Sequence, residues 1–538
     1  MWNPSCIVHD RRQGGRSVIV QHGMIDGGSS QDLVQEVMQK KEKVFGHSVV
    51  RGFQWIGAGM ILQAVLRIGV LAALTRMVEP KEFGLLGIAF ICTSCAERIG
   101  QVGIGPAFIQ KSEIDDNDVR TAQILSLASG LVIMLALWAL APIVAHIFRE
   151  PKVVLVLSVL AVGFVVDAFV VVPDGMLQRQ LRFREIVRAE TFSYILGPGL
   201  VGITGAALGF GVWALVCSHL VMKIFRAILT RGVVVMPQGG RYTRVSAGGL
   251  FSKGVGFSAG RILNFISLQG DNFVVGRALG TEALGMYSRA YQLMAIPAMF
   301  VGQLFERVLF PALAQKQEDV LTMQRAFRAS LEVSTMVALP VSIVMYNLSD
   351  EIVEVLFGSR WLSISPVLSI LALGVFCRTT YKCGDTVIRS QGEMLGYTTR
   401  QVWYTGTVFV GSFIGATWFG IIGVAWAVVA GTAINYILMT QLAARLIAMP
   451  YTAVLYSHLP GIWISLCLGT VFTWGLQPLR TLGLNPFLTL LAVGFVSIAV
   501  VVAALTLGWG LIRKTSSFEL GARYFARRVR PDTIVQAA

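Results

Sequence analysis

The architecture follows from the stretch Arg76-Met-Val-Glu-Pro-Lys-Glu-Phe-Gly84, which recurs in altered form as Arg277-Ala-Leu-Gly-Thr-Glu-Ala-Leu-Gly285. Each stretch joins one long apolar run to the next, and the separation between Arg and Gly is the same. The runs before the two stretches are six membrane crossings apart, and six crossings preserve direction. The repeat therefore predicts two parallel lobes related by an axis along the membrane normal, with a binding space between them.

The composition identifies the solvent of this chain as lipid. Hydrophobic residues make up 54% of it and charged residues 14%, with a mean hydropathy of +0.66. Soluble domains hold roughly 45 to 50% apolar and about 25% charged residues. Apolar runs long enough to cross the hydrocarbon core as helices recur along the chain. We predict an all-α integral membrane protein with about 14 transmembrane helices, at residues 48–75, 83–110, 121–147, 153–173, 191–208, 212–228, 254–275, 283–312, 329–347, 362–388, 401–418, 422–444, 456–475 and 484–512.

The basic residues predict the orientation. When alternate loops are assigned to opposite sides, 28 Lys and Arg residues fall on the side of the N-terminus and 7 on the other side. Loops rich in Lys and Arg stay in the cytoplasm, so both termini are predicted to be cytoplasmic. The net charge of +15 is thereby explained by topology, and no nucleic-acid partner is expected.

These spans divide the chain into two pseudo-symmetric six-helix lobes with additions. The N-lobe (48–228) and the C-lobe (254–444) are joined by a cytoplasmic linker, and two extra C-terminal helices follow them. A cytoplasmic extension that is predicted to be disordered precedes the N-lobe, and a basic cytoplasmic tail ends the chain. The extension is residues 1–47, the linker is 229–253, the two extra helices lie in 445–512, and the tail is 513–538. All the loops are too short to fold as a catalytic domain, which argues against an enzyme.

Charged residues inside the spans indicate the site. Ten bases and six acids lie there, and each charge facing lipid would cost about 2.5 to 3.5 kcal/mol near the bilayer centre. Ion pairs account for part of the set, with Lys382 and Asp385 as one possible pair, but they leave an excess of bases. A cationic cavity suits phosphate or pyrophosphate, which Arg binds bidentately. The substrate-binding candidates are Arg67, Arg98, Arg261, Arg289, Arg378 and Lys382.

An intramembrane acid could couple transport to an ion gradient by carrying a proton during the return step. Asp271 is the first candidate because it lies in the repeat-related span 7, and Glu97 in the middle of span 2 is the second. Structural pairing with a neighbouring Arg is the alternative for both. No metal site or bound cofactor is expected.

Other polar positions are given structural interpretations. Lys223, Arg226 and Glu332 lie near cytoplasmic helix ends, where snorkelling is expected, as it is for Arg51. The run Asp115-Asp116-Asn117-Asp118 is interpreted as a solvated turn. The glycines of Gly197-Pro-Gly199-Leu-Val-Gly202 lie within an apolar span, so they predict close helix packing or a kink and not a nucleotide site.

Several motifs in order resemble one family. After the Arg76–Gly84 stretch come Ile99-Gly-Gln-Val-Gly-Ile-Gly-Pro-Ala-Phe-Ile-Gln110, Leu177-Gln-Arg-Gln-Leu-Arg-Phe-Arg184, Gly209-Phe-Gly-Val-Trp-Ala-Leu-Val216, Gly270-Asp-Asn-Phe-Val-Val-Gly-Arg-Ala-Leu-Gly280 and Leu284-Gly-Met-Tyr-Ser-Arg-Ala290. These motifs look like the polysaccharide transporter branch of the multidrug, oligosaccharidyl-lipid and polysaccharide exporter superfamily, the Wzx-type flippases. The likeness covers residues 45 to the last span.

The resemblance implies two six-helix lobes that form a V-shaped, alternately opening cavity. It implies that the substrate is an undecaprenyl-pyrophosphate-linked oligosaccharide, moved from the cytoplasmic to the periplasmic leaflet of the bacterial inner membrane for exopolysaccharide, capsule or O-antigen assembly. No nucleotide is expected, coupling to a proton or sodium gradient is commonly proposed for the family, and a polysaccharide polymerase and co-polymerase are expected partners. The surrounding membrane lipid holds the polyprenyl tail.

Three alternatives are open at this point. A multidrug cation antiporter shares the architecture, but cationic substrates require acids in the cavity, and here the bases are in excess. A lipid II flippase also carries a polyprenyl pyrophosphate, although the motifs fit the polysaccharide branch better. A membrane polymerase or glycosyltransferase acting on the same lipid would require a large catalytic loop.

Overall fold

The computed structural model describes residues 62–100, 108, 114–180, 182–236, 239–243, 269–305, 309–314, 317–481 and 485–507. Every regular element within these ranges is a helix, as the sequence predicts, and all of them belong to one compact unit. The N-terminal extension, the basic tail, Arg51 and Arg261 lie outside the described residues.

The long helices match the predicted spans one for one. We number them α1 to α14: residues 62–77, Pro80–Gly100, Asp116–Phe148, Val153–Arg179, Phe183–Ala207, Val212–Val233, residues 269–278, Thr281–Leu304, Val320–Asn347, Ser365–Ser390, the two arms of Met394–Leu446, Leu459–Thr481 and Pro486–Leu507. Short helices at Phe310–Ala314, Ser349–Phe357 and Tyr451–Tyr456 lie between them, and a 3-10 helix, Ser359–Ile364, precedes α10.

Length and composition qualify eight helical segments of the described chain as membrane spans, which makes this a multi-pass membrane protein. Met394–Leu446 counts as one segment among the eight but contains two helices. The backbone of Gly420 has a φ of +61°, which only glycine adopts without strain. The chain reverses there, and Gly415 then lies against Gly423 of the second arm. The predicted separation of spans 11 and 12 is therefore correct.

α5 is broken in its middle. Residues Phe183–Tyr194 are α-helical, Ile195–Gly202 form a π-helix that contains Pro198, and Ile203–Ala207 return to α-helix. A Cβ at Gly197 would come within 2.5 Å of the Ser218 carbonyl oxygen in α6. The glycines therefore serve a kink and close helix packing, as the sequence predicts.

The acidic run before α3 is not a solvated turn. Asp115 and Asp118 form a capping box, in which each side chain accepts a hydrogen bond from the backbone N–H of the other. The linker is attached to the same place, because the Arg241 backbone N–H donates to Asn117 Oδ1 at 2.8 Å. The first part of the inter-lobe linker is thus fixed to the N-lobe.

The two lobes meet where α2 crosses α8. A Cβ added to Gly84 would overlap the Thr281 carbonyl oxygen, and one added to Gly285 would overlap the Pro80 carbonyl oxygen. The two stretches that define the sequence repeat therefore contact each other directly and reciprocally.

The two extra helices are attached to the C-lobe. His458, just before α13, is hydrogen-bonded through Nδ1 to the Thr335 hydroxyl of α9 at 2.7 Å and through Nε2 to the Tyr436 hydroxyl of α12 at 2.6 Å. At the other end of α13, Arg480 Nε donates to Glu351 Oε1 at 2.7 Å. Both ends of α13 are thereby anchored.

Candidate binding site between the lobes

Two of the predicted bases, one from each lobe, lie near Tyr194. The Arg67 guanidinium carbon of α1 lies 5.7 Å from the centroid of the Tyr194 ring, at the kink of α5. Arg289 of α8 lies within electrostatic range of the same tyrosine. The ion pairs found among the described residues involve other bases. Positive charge therefore accumulates between the lobes without a salt-bridged acid.

Arg289 has hydrogen-bonding capacity to spare. Its guanidinium carbon lies 4.7 Å from the centroid of the Phe83 ring of α2, and Nη1 donates to Gln292 Oε1 at 2.6 Å. Nε is buried and has no hydrogen-bond partner among the residues that the structure describes. An aromatic face stabilises a cation without occupying its N–H groups, so these remain available to an anion.

The N-lobe holds a second set of charges that are paired with each other. Arg226 of α6 contacts both Asp174 Oδ2 at 2.7 Å and Glu190 Oε1 at 3.2 Å. Lys223, one turn earlier, is paired with Asp167. The snorkelling prediction was wrong for these two bases, and also for Glu332, which is buried and paired with Arg328. Acids of neighbouring helices neutralise the two bases, whereas Glu332 is paired within its own helix.

A polar contact links this set to the site. Gln63 Nε2 of α1 donates to Glu190 Oε2 of α5 at 3.2 Å. Arg67 and Tyr194 follow these two residues by four positions, so both pairs lie on the same faces of their helices. Glu190 therefore lies one helical turn before Tyr194 on α5, and the Arg67–Tyr194 contact lies one turn beyond the Gln63–Glu190 hydrogen bond.

The C-lobe buries its own network. The Asp271 carboxylate of α7 accepts from the Tyr287 hydroxyl at 2.7 Å and from the Asn272 backbone N–H at 2.9 Å. The Arg378 guanidinium of α10 lies 4.7 Å from the centroid of the Tyr291 ring and within electrostatic range of Asp271 and Tyr404. Asp271 is 1% exposed and Arg378 is 9% exposed. Both predicted site residues are thus part of the packed C-lobe.

The other predicted residues are more scattered. Glu97 and Arg98 are exposed near the last described turn of α2, which begins at Pro80. Lys382 of α10 reaches Gly302 of α8, where a Cβ would overlap its Nζ. Asp385, the pairing partner considered for it, accepts from Arg389 at 2.8 Å.

Sequence reasoning missed the aromatic partners Phe83, Tyr194, Tyr287 and Tyr291. The spacing of Gln63 with Arg67 and of Glu190 with Tyr194 was the available signal, since polar residues four apart line one helix face. Within the described ranges, no group of three or more His, Cys, Asp or Glu residues could hold a metal ion.

Sequence comparison finds relatives whose names refer to polysaccharide biosynthesis. The profile of a family described as polysaccharide biosynthesis protein matches residues 73–366, which is more than half of the chain. The chain is 24% identical over 430 residues to the teichuronic acid biosynthesis protein TuaB of Bacillus subtilis, covering 79% of this chain and 88% of the relative. It is 25% identical over 358 residues to the lipopolysaccharide biosynthesis protein WzxC of Escherichia coli, covering 64% and 68%.

Structural comparison gives the same fold. The lipid II flippase MurJ in an inward closed conformation superposes with a TM-score of 0.67 at 12% sequence identity, over 85% of this chain and 99% of that chain. At that identity the likeness shows the fold alone. The family profile, the relatives and the fold agree with the resemblance found in the sequence, and this multi-pass membrane chain belongs to the polysaccharide biosynthesis protein family.

Proposed function

We propose that this protein is a flippase that moves an oligosaccharide linked to undecaprenyl pyrophosphate from the cytoplasmic to the periplasmic leaflet of the inner membrane. One observation carries the proposal: Arg67 of the N-lobe lies over the Tyr194 ring, Arg289 of the C-lobe lies over the Phe83 ring, and neither is in an ion pair with any described acid. A site built from both lobes is what alternating access requires, because the ligand must be released when the lobes separate on its far side.

The chemistry of the site suits a pyrophosphate. Arg289 offers unoccupied N–H groups, and the planar guanidinium matches two phosphate oxygens at once. Charged and sugar groups have no partners in hydrocarbon, so the lobes must enclose them while the polyprenyl tail stays in lipid. Names of the relatives that mention teichuronic acid and lipopolysaccharide support a polysaccharide precursor over a small cation.

The experiment replaces Arg289 by Ala and by Lys, with Arg325→Ala as the matched control, because Arg325 is an exposed arginine near the start of α9. Surface polysaccharide, lipid-linked precursor and membrane abundance are measured together. Charge-assisted hydrogen bonds are worth about 1.5 to 3 kcal/mol, so we expect Arg289→Ala to lower flipping by about 10- to 150-fold at normal abundance.

We expect the lipid-linked precursor to accumulate and Arg289→Lys to recover only part of the output, since ammonium lacks the planar fork. Normal output from an abundant Arg289→Ala protein would remove this residue from the site. Loss of the precursor itself would favour the enzyme alternative, and accumulation of lipid II in its place would favour the lipid II flippase.

We also propose that transport is coupled to a proton or sodium gradient, with Asp271 as the first candidate and Glu97 as the second. The carboxylate of Asp271 has Tyr287 and Arg378 as neighbours, and a change of its charge would alter the packing of α7, α8 and α10 together. Transport in vesicles by Asp271→Asn is the test. Full retention of gradient dependence in this variant would exclude the residue.

A further inference from the structure

The two copies of the repeated stretch contact each other through their glycines. Gly84 lies four residues after Pro80, and Gly285 lies four residues after Thr281. In the structure each glycine lies directly against the backbone carbonyl of the residue four positions before the other glycine. The contact is therefore the same twice over, as expected for two copies of one motif meeting across a pseudo-twofold axis.

A segment of the C-lobe, residues 349–364, lies over this crossing and is called the cover below. Trp361 is fully buried, and its Nε1 donates to the Thr75 carbonyl at the end of α1 at 2.8 Å. Arg76 Nη2 donates back to the Val355 carbonyl at 2.7 Å. The Trp361 ring packs edge-on against Phe83, with 5.7 Å between ring centroids. The segment 349–364 thus binds the N-lobe at the same end of the bundle as the glycine crossing.

Phe83 connects this region to the binding site. One neighbour of its ring is Trp361 of the cover, and another is the Arg289 guanidinium. The next residue in the chain is Gly84. The site is therefore closed off immediately beyond Arg289 on the side where α2 and α8 begin.

We infer that the reciprocal Gly84–Gly285 crossing, covered by Trp361, is the seal that closes the inter-lobe space on the external side, and that any side chain at either glycine holds this side open. The side is set by the basic residues, since the loops 76–82 and 348–361 belong to the half of the loops with few of them. Backbone carbonyls are fixed by their helices, so a methyl group at either position cannot be accommodated by rotating a side chain.

Alanine at the two glycines tests the seal. Thr75→Cys serves as the reporter, in a background without the seven native cysteines, because Thr75 is 1% exposed beneath Trp361. A membrane-impermeant maleimide is added to spheroplasts and the labelling rate is measured. Minor conformations separated by a few kcal/mol are populated at roughly 0.1 to 10%, so Gly84→Ala and Gly285→Ala should raise the rate about tenfold or more.

Two matched controls lie nearby. A Cβ at Gly87, one turn further along α2, would meet only the Leu284 side chain, at 3.4 Å, and one at Gly69 of α1 would meet nothing within 4 Å. Gly87→Ala and Gly69→Ala should label at the parent rate. Equal rates for all four variants, or equal increases in all four, would overturn the proposal. So would labelling of the parent from the cytoplasmic side in inverted vesicles.

If both glycine variants are absent from the membrane, Trp361→Phe decides, because it keeps the aromatic packing and removes the hydrogen bond to Thr75. A raised labelling rate would then support the seal, and an unchanged rate would refute it. Labelling needs no substrate, so this outcome is independent of whether Arg289→Ala fails to flip a lipid-linked sugar.

Discussion

The salt-bridged cluster of the N-lobe and the Asp271–Arg378 network of the C-lobe stabilise their intramembrane charges in different ways. In the N-lobe, Arg226 and Lys223 make direct salt bridges, and their side chains keep 38% and 19% of their exposure. In the C-lobe, Asp271 and Arg378 are buried, and each of them contacts a tyrosine side chain. Half-exposed salt bridges can be broken and hydrated at low cost, whereas buried charges held by aromatic neighbours cannot.

This difference indicates separate roles. The N-lobe charges lie on the surface that leads to Arg67 and Tyr194, so they can respond to water and ligand in the inter-lobe space. The C-lobe charges hold α7, α8, α10 and α11 together as one packed body. Arg67 and Arg289, which are on aromatic rings but not in salt bridges, lie where the two arrangements meet.

The largest expected loss of thermal stability is that of Arg378→Ala in the C-lobe. Arg378→Ala removes the guanidinium beside the buried Asp271 carboxylate and leaves a space among Tyr291 and Tyr404. Stranding a buried charge costs about 3 to 5 kcal/mol, so we expect a large fall in thermal stability of the detergent-purified protein. Arg289→Ala is the control, because it strands no salt-bridged acid and should melt near the parent temperature.

Addition of Asp271→Asn to Arg378→Ala should restore part of the lost stability. If Arg378→Ala melted like the parent protein and lost only transport, the comparison between lobes would fail and Arg378 would belong with the ligand-binding bases, as the sequence predicts.

A smaller effect is expected from Tyr287→Phe, which removes one hydroxyl and leaves the ring in place. That hydroxyl donates to the buried Asp271 carboxylate at 2.7 Å, and hydrogen bonds to charged groups are worth about 1.5 to 3 kcal/mol. The melting temperature should fall by less than for Arg378→Ala. Tyr346→Phe, at a tyrosine that is 47% exposed, should leave it unchanged. Equal melting of the two variants would mean that Asp271 needs no donor from α8.

The sequence predicted the helices well because apolar runs of membrane length are a strong signal, and the 14 predicted spans all coincide with helices. It failed at the paired bases of the N-lobe for an identifiable reason. Pro173 was taken as the end of span 4, but α4 continues through it to Arg179 and carries Asp174 with it. Asp174 was therefore counted as a loop residue, and so was Glu190, because α5 begins at Phe183 and not at Thr191. Both acids that pair with Arg226 were thus left out of the spans.

The bases of the proposed binding site were chosen from the excess of basic over acidic residues within the predicted spans. An excess of intramembrane bases identified Arg67 and Arg289, but no spacing within one helix could show that Tyr194 joins them, since the three lie on α1, α8 and α5. Likewise the repeat showed that the lobes correspond, whereas the reciprocal contact of its two glycines appears only in three dimensions.

In the N-lobe, Arg226→Ala is expected to cost about 1 to 2 kcal/mol, the lower part of the range for an unsatisfied buried partner, because water reaches this half-exposed cluster. The affected carboxylate is Asp174, whose other oxygen already lacks a hydrogen bond. Membrane abundance and melting temperature should fall less than for Arg378→Ala, and Asp174→Asn should reverse the loss. A fall as large as that of Arg378→Ala would show that the Arg226 cluster is no more easily hydrated than the Asp271–Arg378 network.

The smallest effect is expected for Asp167→Asn. The Asp167 side chain is 42% exposed, and salt bridges at this degree of exposure contribute about 0 to 1 kcal/mol. Lys223 keeps a second contact when the carboxylate is removed, because its Nζ lies 5.4 Å from the centroid of the Phe164 ring. Abundance, melting temperature and polysaccharide output should therefore stay close to the parent values, and raising the salt concentration should change the parent protein no more than the variant. Asp174→Asn, whose side chain is 15% exposed, is the matched comparison and should have the larger effect of the two. If Asp167→Asn abolished transport while its melting temperature stayed normal, Asp167 would have to act in the transport cycle itself, and the N-lobe salt bridges could no longer be treated as a single structural set.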